Sequence, residues 1–228
     1  MAVDLDHLTL AAGGHTLLDD VTLRLAAGTV HGIAGRNGSG KSALIACLAG
    51  LLEPAGGAVR TLGAPPGGRA LHGRLSILFQ EEEPYPEQRV SDYLKWYAKT
   101  IGAAGANHLD GAAELLRHLN PTPLWSAPLR RLSPGERRAV AIARALLGAP
   151  ELLLLDDPFD RLDGVGRDRL ATHLATVAAA GRTVVVASNC LPPLAASATT
   201  CRVIRDRDLV EVEGDPRAIT AALEETTP

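Results

Sequence analysis

Apolar and polar residues alternate from Val3 to Leu25, clearly in Leu8-Thr9-Leu10 and in Val21-Thr22-Leu23-Arg24-Leu25, with Gly13-Gly14 between them. Period-two patterning split by a glycine pair predicts an antiparallel hairpin. Val30-His31-Gly32-Ile33 then reads as a short buried strand after a turn at Gly28, and Ala43 to Ala49 as an apolar helix. A turn is expected at Pro54-Ala55-Gly56-Gly57, a strand over Val59 to Leu62, a loop at Pro65 to Gly68 and a strand over Leu75 to Phe79. Beyond Gln80 the texture changes. Glu81 to Pro86 is polar and proline-interrupted, with the Glu81 to Glu83 run expected as a solvated face rather than a metal site, and helical spacing follows in Ser91 to Ile101 and Ala112 to Leu119, until Pro121 and Pro123 break it. Residues 82–131 are therefore expected to form a helical subdomain inserted into a core made of 1–81 and 132–228. The core resumes at Ser133-Pro134-Gly135-Glu136, a capping box with proline at the first helical position, which predicts a helix through Ile142 to Leu147. A buried strand over Leu152 to Leu155, a helix over Arg167 to Ala179, a buried strand over Thr183 to Ala187 and a closing pair, Val203-Ile204 with Leu209 to Val212, complete the pattern. Strands alternating with helices predict an α/β fold, its mainly parallel sheet covered on both faces.

Composition narrows the classes. The 228 residues suffice for one sizeable core with a smaller satellite. A formal net charge of -3 gives no electrostatic reason to expect a nucleic-acid partner. Cys47, Cys190 and Cys201 have neither metal-ligand spacing nor an even count, so reduced core-filling thiols and a cytosolic setting are expected. No apolar run reaches the roughly 18 to 20 residues that cross a bilayer, so any membrane association would be through a partner. Trp96, Tyr97 and Trp125 are expected in the core, with contact to a partner as the alternative.

The chemistry is concentrated in Gly35-Arg36-Asn37-Gly38-Ser39-Gly40-Lys41-Ser42, which fits G-x-x-x-x-G-K-[ST] between a strand and a helix. Glycines at these places let successive backbone N–H groups point inward, and the positive end of the following helix faces the same space. Lys41 would reach the β and γ phosphates of a nucleotide and Ser42 would ligate Mg²⁺. With only three lysines against twenty arginines in the chain, Lys41 is not incidental.

Four further landmarks follow in order: Gln80 after an apolar strand, Leu132-Ser133-Pro134-Gly135-Glu136, Leu152 to Asp157, and Asp160-Arg161-Leu162-Asp163. With the phosphate loop they resemble the nucleotide-binding domain of ABC transporters, matching in turn its Walker A loop, Q-loop, signature, Walker B strand and D-loop. The resemblance implies a P-loop NTPase with a RecA-like mainly parallel sheet, an antiparallel β subdomain and an inserted α-helical subdomain. It also implies MgATP held in the seam of a head-to-tail dimer and coupled to an integral membrane permease. Gly35, Asn37, Gly38, Ser39, Gly40, Lys41 and Ser42 would bind nucleotide, and Ser133, Gly135, Glu136 and Asp163 would complete the site of a second ATP-binding chain, whether a copy or a relative. Ser42, Gln80 and Asp156 would hold Mg²⁺. The stretch from Val90 through Tyr97-Ala98 is similar to ATPases of drug and polysaccharide exporters, which implies export.

The departures from that family pattern are as informative. Asp157 stands where a glutamate usually positions the attacking water, and Asn189 where a histidine usually contacts the γ phosphate. An aspartate is one methylene shorter, and a displacement of about 1 Å in a positioned base costs on the order of a hundredfold in rate. Slow hydrolysis is therefore expected, with Asp157, Asn189 and Gln80 as the catalytic set. The usual adenine-stacking aromatic falls at Ala12, with His15 near enough to substitute. Two expectations remain: a slow ATPase, or a regulatory ATP-binding subunit paired with a complete ATPase. A soluble relative acting on nucleic acid would show tandem domains or a coiled-coil insertion, which this sequence lacks.

Overall fold

The computed structural model describes residues 1–81, 87–102 and 106–224, without the side chains of 106 and 107. Hairpin strands β1 (Val3–Ala12) and β2 (His15–Leu25) lead to β3 (Val30–Ala34) and α1 (Lys41–Ala49). Next come β4 (Gly56–Thr61), β5 (Leu75–Leu78), α2 (Val90–Thr100), α3 (Ala106–Leu119) and α4 (Pro134–Leu146). The chain ends with β6 (Leu152–Asp156), α5 (Gly164–Ala179), β7 (Thr183–Ser188), α6 (Leu191–Ser197), β8 (Thr200–Arg205), β9 (Asp208–Val212) and α7 (Pro216–Glu224). The acidic run expected as a solvated face falls largely on 82–86, outside the described residues.

The main sheet has the order β5-β6-β7-β3-β8-β9. β5, β6, β7, β3 and β8 run parallel, and β9 closes the edge antiparallel to β8. Because successive side chains point to opposite faces, continuous apolar strands feed two cores at once. Leu153 and Leu155 of β6 and Val184 and Val186 of β7 join the cluster under α2 to α6, whereas Leu152, Leu154 and Val185 pack with α1 and the β1–β2 hairpin. Each such leucine, fully withdrawn from water, contributes about 1.5–3 kcal/mol. The two-sided burial is what keeps the strand ends in one rigid row.

The second sheet, β2-β1-β4, is antiparallel. Here the expected turn at Gly56-Gly57 is instead the start of β4: Gly57 sits at φ 76°, where a Cβ would come within 2.1 Å of the His7 carbonyl. A β-bulge between Asp6 and Thr9 brings the backbones that close, so the glycine serves the sheet. Trp96 corrects the expected aromatic core, since it is 50 % exposed on α2. The short α6 and α7 went unread because seven and nine residues carry too little periodicity to stand out. Cys47 and Cys201 are buried as expected of filler thiols, and burial pushes Cys47 up to about 11.

β3 also buries His31, whose Nε2 donates to the Ala26 carbonyl at 2.9 Å, while Nδ1 lies 2.9 Å from the Thr200 hydroxyl. Burial lowers the pKa of this ring below the ordinary value. The unfolded chain therefore binds this proton more readily, so folding stability is complete above the ordinary value of about 6.5 and declines as pH falls below it. Urea unfolding should show a decreasing free energy from about pH 7 to about pH 5, with a flatter slope in His31→Gln. An unchanged slope in the variant would assign the decline to other groups.

Candidate functional site

The phosphate loop leaves β3 at the carboxyl end of the sheet, between the parallel neighbours β7 and β8. This is where open α/β sheets leave a crevice. Gly38 and Gly40 take φ 79° and 108°, conformations that side-chain-bearing residues rarely adopt. The first turn of α1 has no side-chain cap and no acidic residue, so its N–H groups remain available to an anion. Lys41 is 6 % exposed and folds back on its own loop, Nζ donating to the Gly35 carbonyl at 2.8 Å and the Arg36 carbonyl at 3.1 Å. Burial lowers its pKa, and the Asp157 and Asp156 carboxylates act in the opposite direction.

Asp156 closes the apolar strand β6 and is 4 % exposed. Burial raises its pKa, opposed by a hydrogen bond from Ser42 and by the charges of Lys41 and Arg138, while Asp157 adds to the rise. Its Oδ1 is buried without a hydrogen-bond partner. An orphaned carboxylate oxygen beside a serine hydroxyl and an uncapped helix end fits a hard cation such as Mg²⁺, which takes one or two protein oxygens and fills the rest from phosphates and water. Among the described residues no cluster of three His, Cys, Asp or Glu offers an all-protein metal cage. The donor set thus suits a metal that arrives with a nucleotide.

Asp157 sits at φ 44°, a strained value for a residue other than glycine. Its Oδ1 accepts from the Ser188 hydroxyl at 2.9 Å and from the Asn189 backbone N–H at 3.1 Å. The Asn189 side-chain amide donates to Asn37 Oδ1 at 3.1 Å. Asn37, Gly38, Gly40, Lys41, Ser42, Gln80, Asp157 and Asn189 line one cavity of about 320 Å³. Leu17 of β2, not His15, forms its apolar wall. That wall was missed because a leucine in a strand reads as core.

Ser39 sits apart from this cavity's lining, its hydroxyl buried without a partner against Gly35. Ser133, Gly135, Glu136 and Asp163 line a different cavity of about 340 Å³, together with Arg161. Ser133 caps α4 as expected, its Oγ accepting from the Glu136 N–H at 3.3 Å while the Glu136 carboxylate accepts from the Ser133 N–H at 2.7 Å. Asp163 caps α5 by accepting from the Gly166 N–H at 2.7 Å. The Glu136 and Asp163 carboxylates are thus engaged in ordering helix ends. Gly135 is required by close approach, since a Cβ there would lie 2.7 Å from the Arg161 carbonyl.

Two substitutions test this geometry. Lys41→Ala should weaken nucleotide binding at least about tenfold in a titration of the pure protein, since the loop loses its charged donor. Gly135→Ala should cost about 1–3 kcal/mol in denaturant unfolding through overpacking against Arg161. Unaltered affinity in the first, or unaltered stability in the second, would contradict the contacts described.

Comparison with known proteins agrees with this fold. A family model described as "ABC transporter" matches residues 18–160, more than half of the chain. The Fe(3+) ions import ATP-binding protein FbpC of Streptomyces coelicolor is 35 % identical over 173 residues, which is 75 % of this chain and 50 % of that protein. The Nod factor export ATP-binding protein I of Cupriavidus metallidurans is 30 % identical over 78 % of this chain and 59 % of its own. The chain therefore spans between half and three-fifths of these two relatives. Import proteins for taurine and aliphatic sulfonates are also among its relatives, so the expectation of export gains no support. A solved structure described as an ATP-binding subunit of an ABC transporter superposes with a TM-score of 0.84 at 22 % identity, covering 100 % of this chain and 96 % of that one. With the P-loop NTPase fold in place and the family model spanning the phosphate loop through Asp160, this chain belongs to the ABC transporter family, among its ATP-binding proteins.

Proposed function

We propose that this chain binds MgATP at the ends of β3 and β6, pairs head to tail with a second ATP-binding chain, hydrolyses its own ATP slowly, and drives a separate membrane permease from the cytoplasmic face. The observation that carries the reading is the partnerless Asp156 Oδ1 beside Ser42 and the open first turn of α1. When bound, magnesium would neutralise charge on the β and γ phosphate oxygens. Lys41 would release the Gly35 and Arg36 carbonyls and turn to those phosphates. Ser42, Gln80 and Asp156 would hold the metal. The two cavities share no lining residue, which supports a site completed between two chains. In that arrangement Ser133 and the N-terminal turn of α4 would face the partner's γ phosphate. None of the described helices is long and apolar enough to cross a membrane, and the pore is assigned here to the proposed permease. The exposed Trp96 on α2 is a suitable contact for it.

A second reading has its own observation. Asp157 is tethered through Oδ1 by Ser188 and Asn189, and the Asn189 amide is engaged with Asn37. A base held by two donors, one methylene short of the usual reach, suits a regulatory subunit that keeps its ATP and completes the site of a fully equipped partner. The two readings differ in rate. Asp157→Glu should raise steady-state ATP hydrolysis about ten- to a hundredfold, and Asn189→His alone should raise it less, since a histidine stabilises charge but does not position water. The double variant should exceed the product of the single effects if both residues serve one transition state. Turnover of about 1 s⁻¹ or faster in the unmodified chain, with no response to Asp157→Glu, would establish an ordinary ATPase. Purification from native membranes should bring down a permease, and a second ATP-binding chain if the regulatory reading holds.

A further inference from the structure

Arg138 lies in the second turn of α4, 5 % exposed, and neither the phosphate loop nor the capping box accounts for it. Its Nη1 donates to the Phe79 carbonyl at 2.7 Å and the Gln80 carbonyl at 3.3 Å. Its Nη2 donates to the Asp156 and Asp157 carbonyls, each at 2.7 Å. One planar guanidinium, whose donors form a rigid fork, thus holds the carboxyl ends of β5 and β6 together. Those ends carry Gln80 and Asp156, which would hold the metal in the reading above, and Asp157, which would position the attacking water.

The same helix is anchored further along. Arg144 donates to the Ile77 carbonyl at 2.8 Å and to the Tyr97 hydroxyl at 3.1 Å, with its guanidinium 5.0 Å from the centre of the Tyr97 ring. A helix fixed near its C-terminal end to β5 and α2, and gripped near its N-terminal end by four carbonyls, cannot follow a movement of those carbonyls by sliding. It would have to tilt, and its N-terminal end, with the Ser133 cap and Gly135, would move most. We propose that Arg138 is a positioning residue that transmits occupancy of this chain's MgATP site to the first turn of α4, and thereby to the second cavity. The inference rests on the MgATP reading above and adds a route by which one ATP site of a dimer would sense the other. If Arg138 only stitched the fold together, its loss would change stability and leave the response of α4 to nucleotide intact.

The full chain, Arg138→Gln and Arg138→Lys are compared by hydrogen exchange over residues 132–140 without nucleotide, with ATP in EDTA, and with MgATP, beside a binding titration. In the unmodified chain MgATP, but not ATP in EDTA, should change exchange of the first-turn amides by about fivefold, the low end of coupling between two sites. Arg138→Gln should still bind MgATP and lose that change, and Arg138→Lys, which keeps the charge without the fork, should recover part of it. The proposal is overturned if α4 of the unmodified chain does not respond to MgATP that the titration shows to be bound, or if Arg138→Gln responds as fully. Should Arg138→Gln fail to fold, Arg138→Lys decides, a full response overturning the proposal and a reduced one supporting it. Absence of saturable MgATP binding by the unmodified chain is a separate result, and it removes the MgATP reading and this inference together.

Discussion

A carboxylate oxygen sealed in a protein interior without a hydrogen bond costs about 1–3 kcal/mol or more, and Asp156 Oδ1 is in that state. Three neighbours offset part of the cost, although burial still holds the carboxyl's pKa above the ordinary value. Lys41 stands nearby, the Ser42 hydroxyl is close enough to favour the charged carboxylate, and Arg138 adds a second cation. Asp156 cannot retreat to water, because β6 is buried along its whole length and paired on both sides, to β5 and β7. The apolar strand therefore fixes a buried, unsatisfied carboxylate oxygen close to the phosphate loop, whose Lys41 and Ser42 line the cavity and offer groups that a metal–phosphate pair would engage. Fold stability and binding chemistry meet at that atom.

The residue after it obeys a different constraint. Asp157 is turned into the left-handed region, its N–H donates to the Ala187 carbonyl at 2.7 Å, and its own carbonyl is gripped by Arg138. Backbone strain of about 1–3 kcal/mol persists only where neighbours over-determine the conformation. Here they do so from β7 and from α4 at once. The direction of the carboxylate is thus fixed by backbone contacts, while its reach is fixed by the choice of aspartate over glutamate. That separation is why a single methylene is expected to change rate more than fold.

Much of this was legible in the sequence, and the reason lies in how local each signal is. The hairpin, the phosphate loop and the capping box at Ser133 and Glu136 are set by residues within a few positions of one another, so spacing alone reveals them. Asp156 was legible because a carboxylate ending a run of four leucines has few structural uses. Arg138, Leu17 and the contact of Gly135 with Arg161 were not, since each depends on a partner far along the chain. An arginine in an amphipathic helix reads as solvated, and only the fold shows that this one ends among four carbonyls. Gly56-Gly57 misled for the opposite reason: a glycine pair is strong turn punctuation, but here close backbone approach at a bulge required it.

The phosphate loop is also tied to the far end of the chain. Arg36 donates to the Leu223 carbonyl in the last turn of α7 at 3.0 Å, and Lys41 in turn donates to the Arg36 carbonyl. A cation at the carbonyl end of a helix is favourable for both groups, so α7 steadies the loop in the shape that stores Lys41 against its own backbone. Phosphates would compete directly with the two carbonyls for the ammonium. The Arg36 carbonyl would keep the Ser39 N–H, which donates to it at 3.1 Å, but the Gly35 carbonyl abandoned by Lys41 would need another donor or water, which sets a cost against nucleotide entry that the β and γ phosphates have to exceed. The P-loop lysine therefore acts as a conditional charge: held inward by local hydrogen bonds in this state, and drawn outward only by a ligand carrying enough negative charge to outbid both of them.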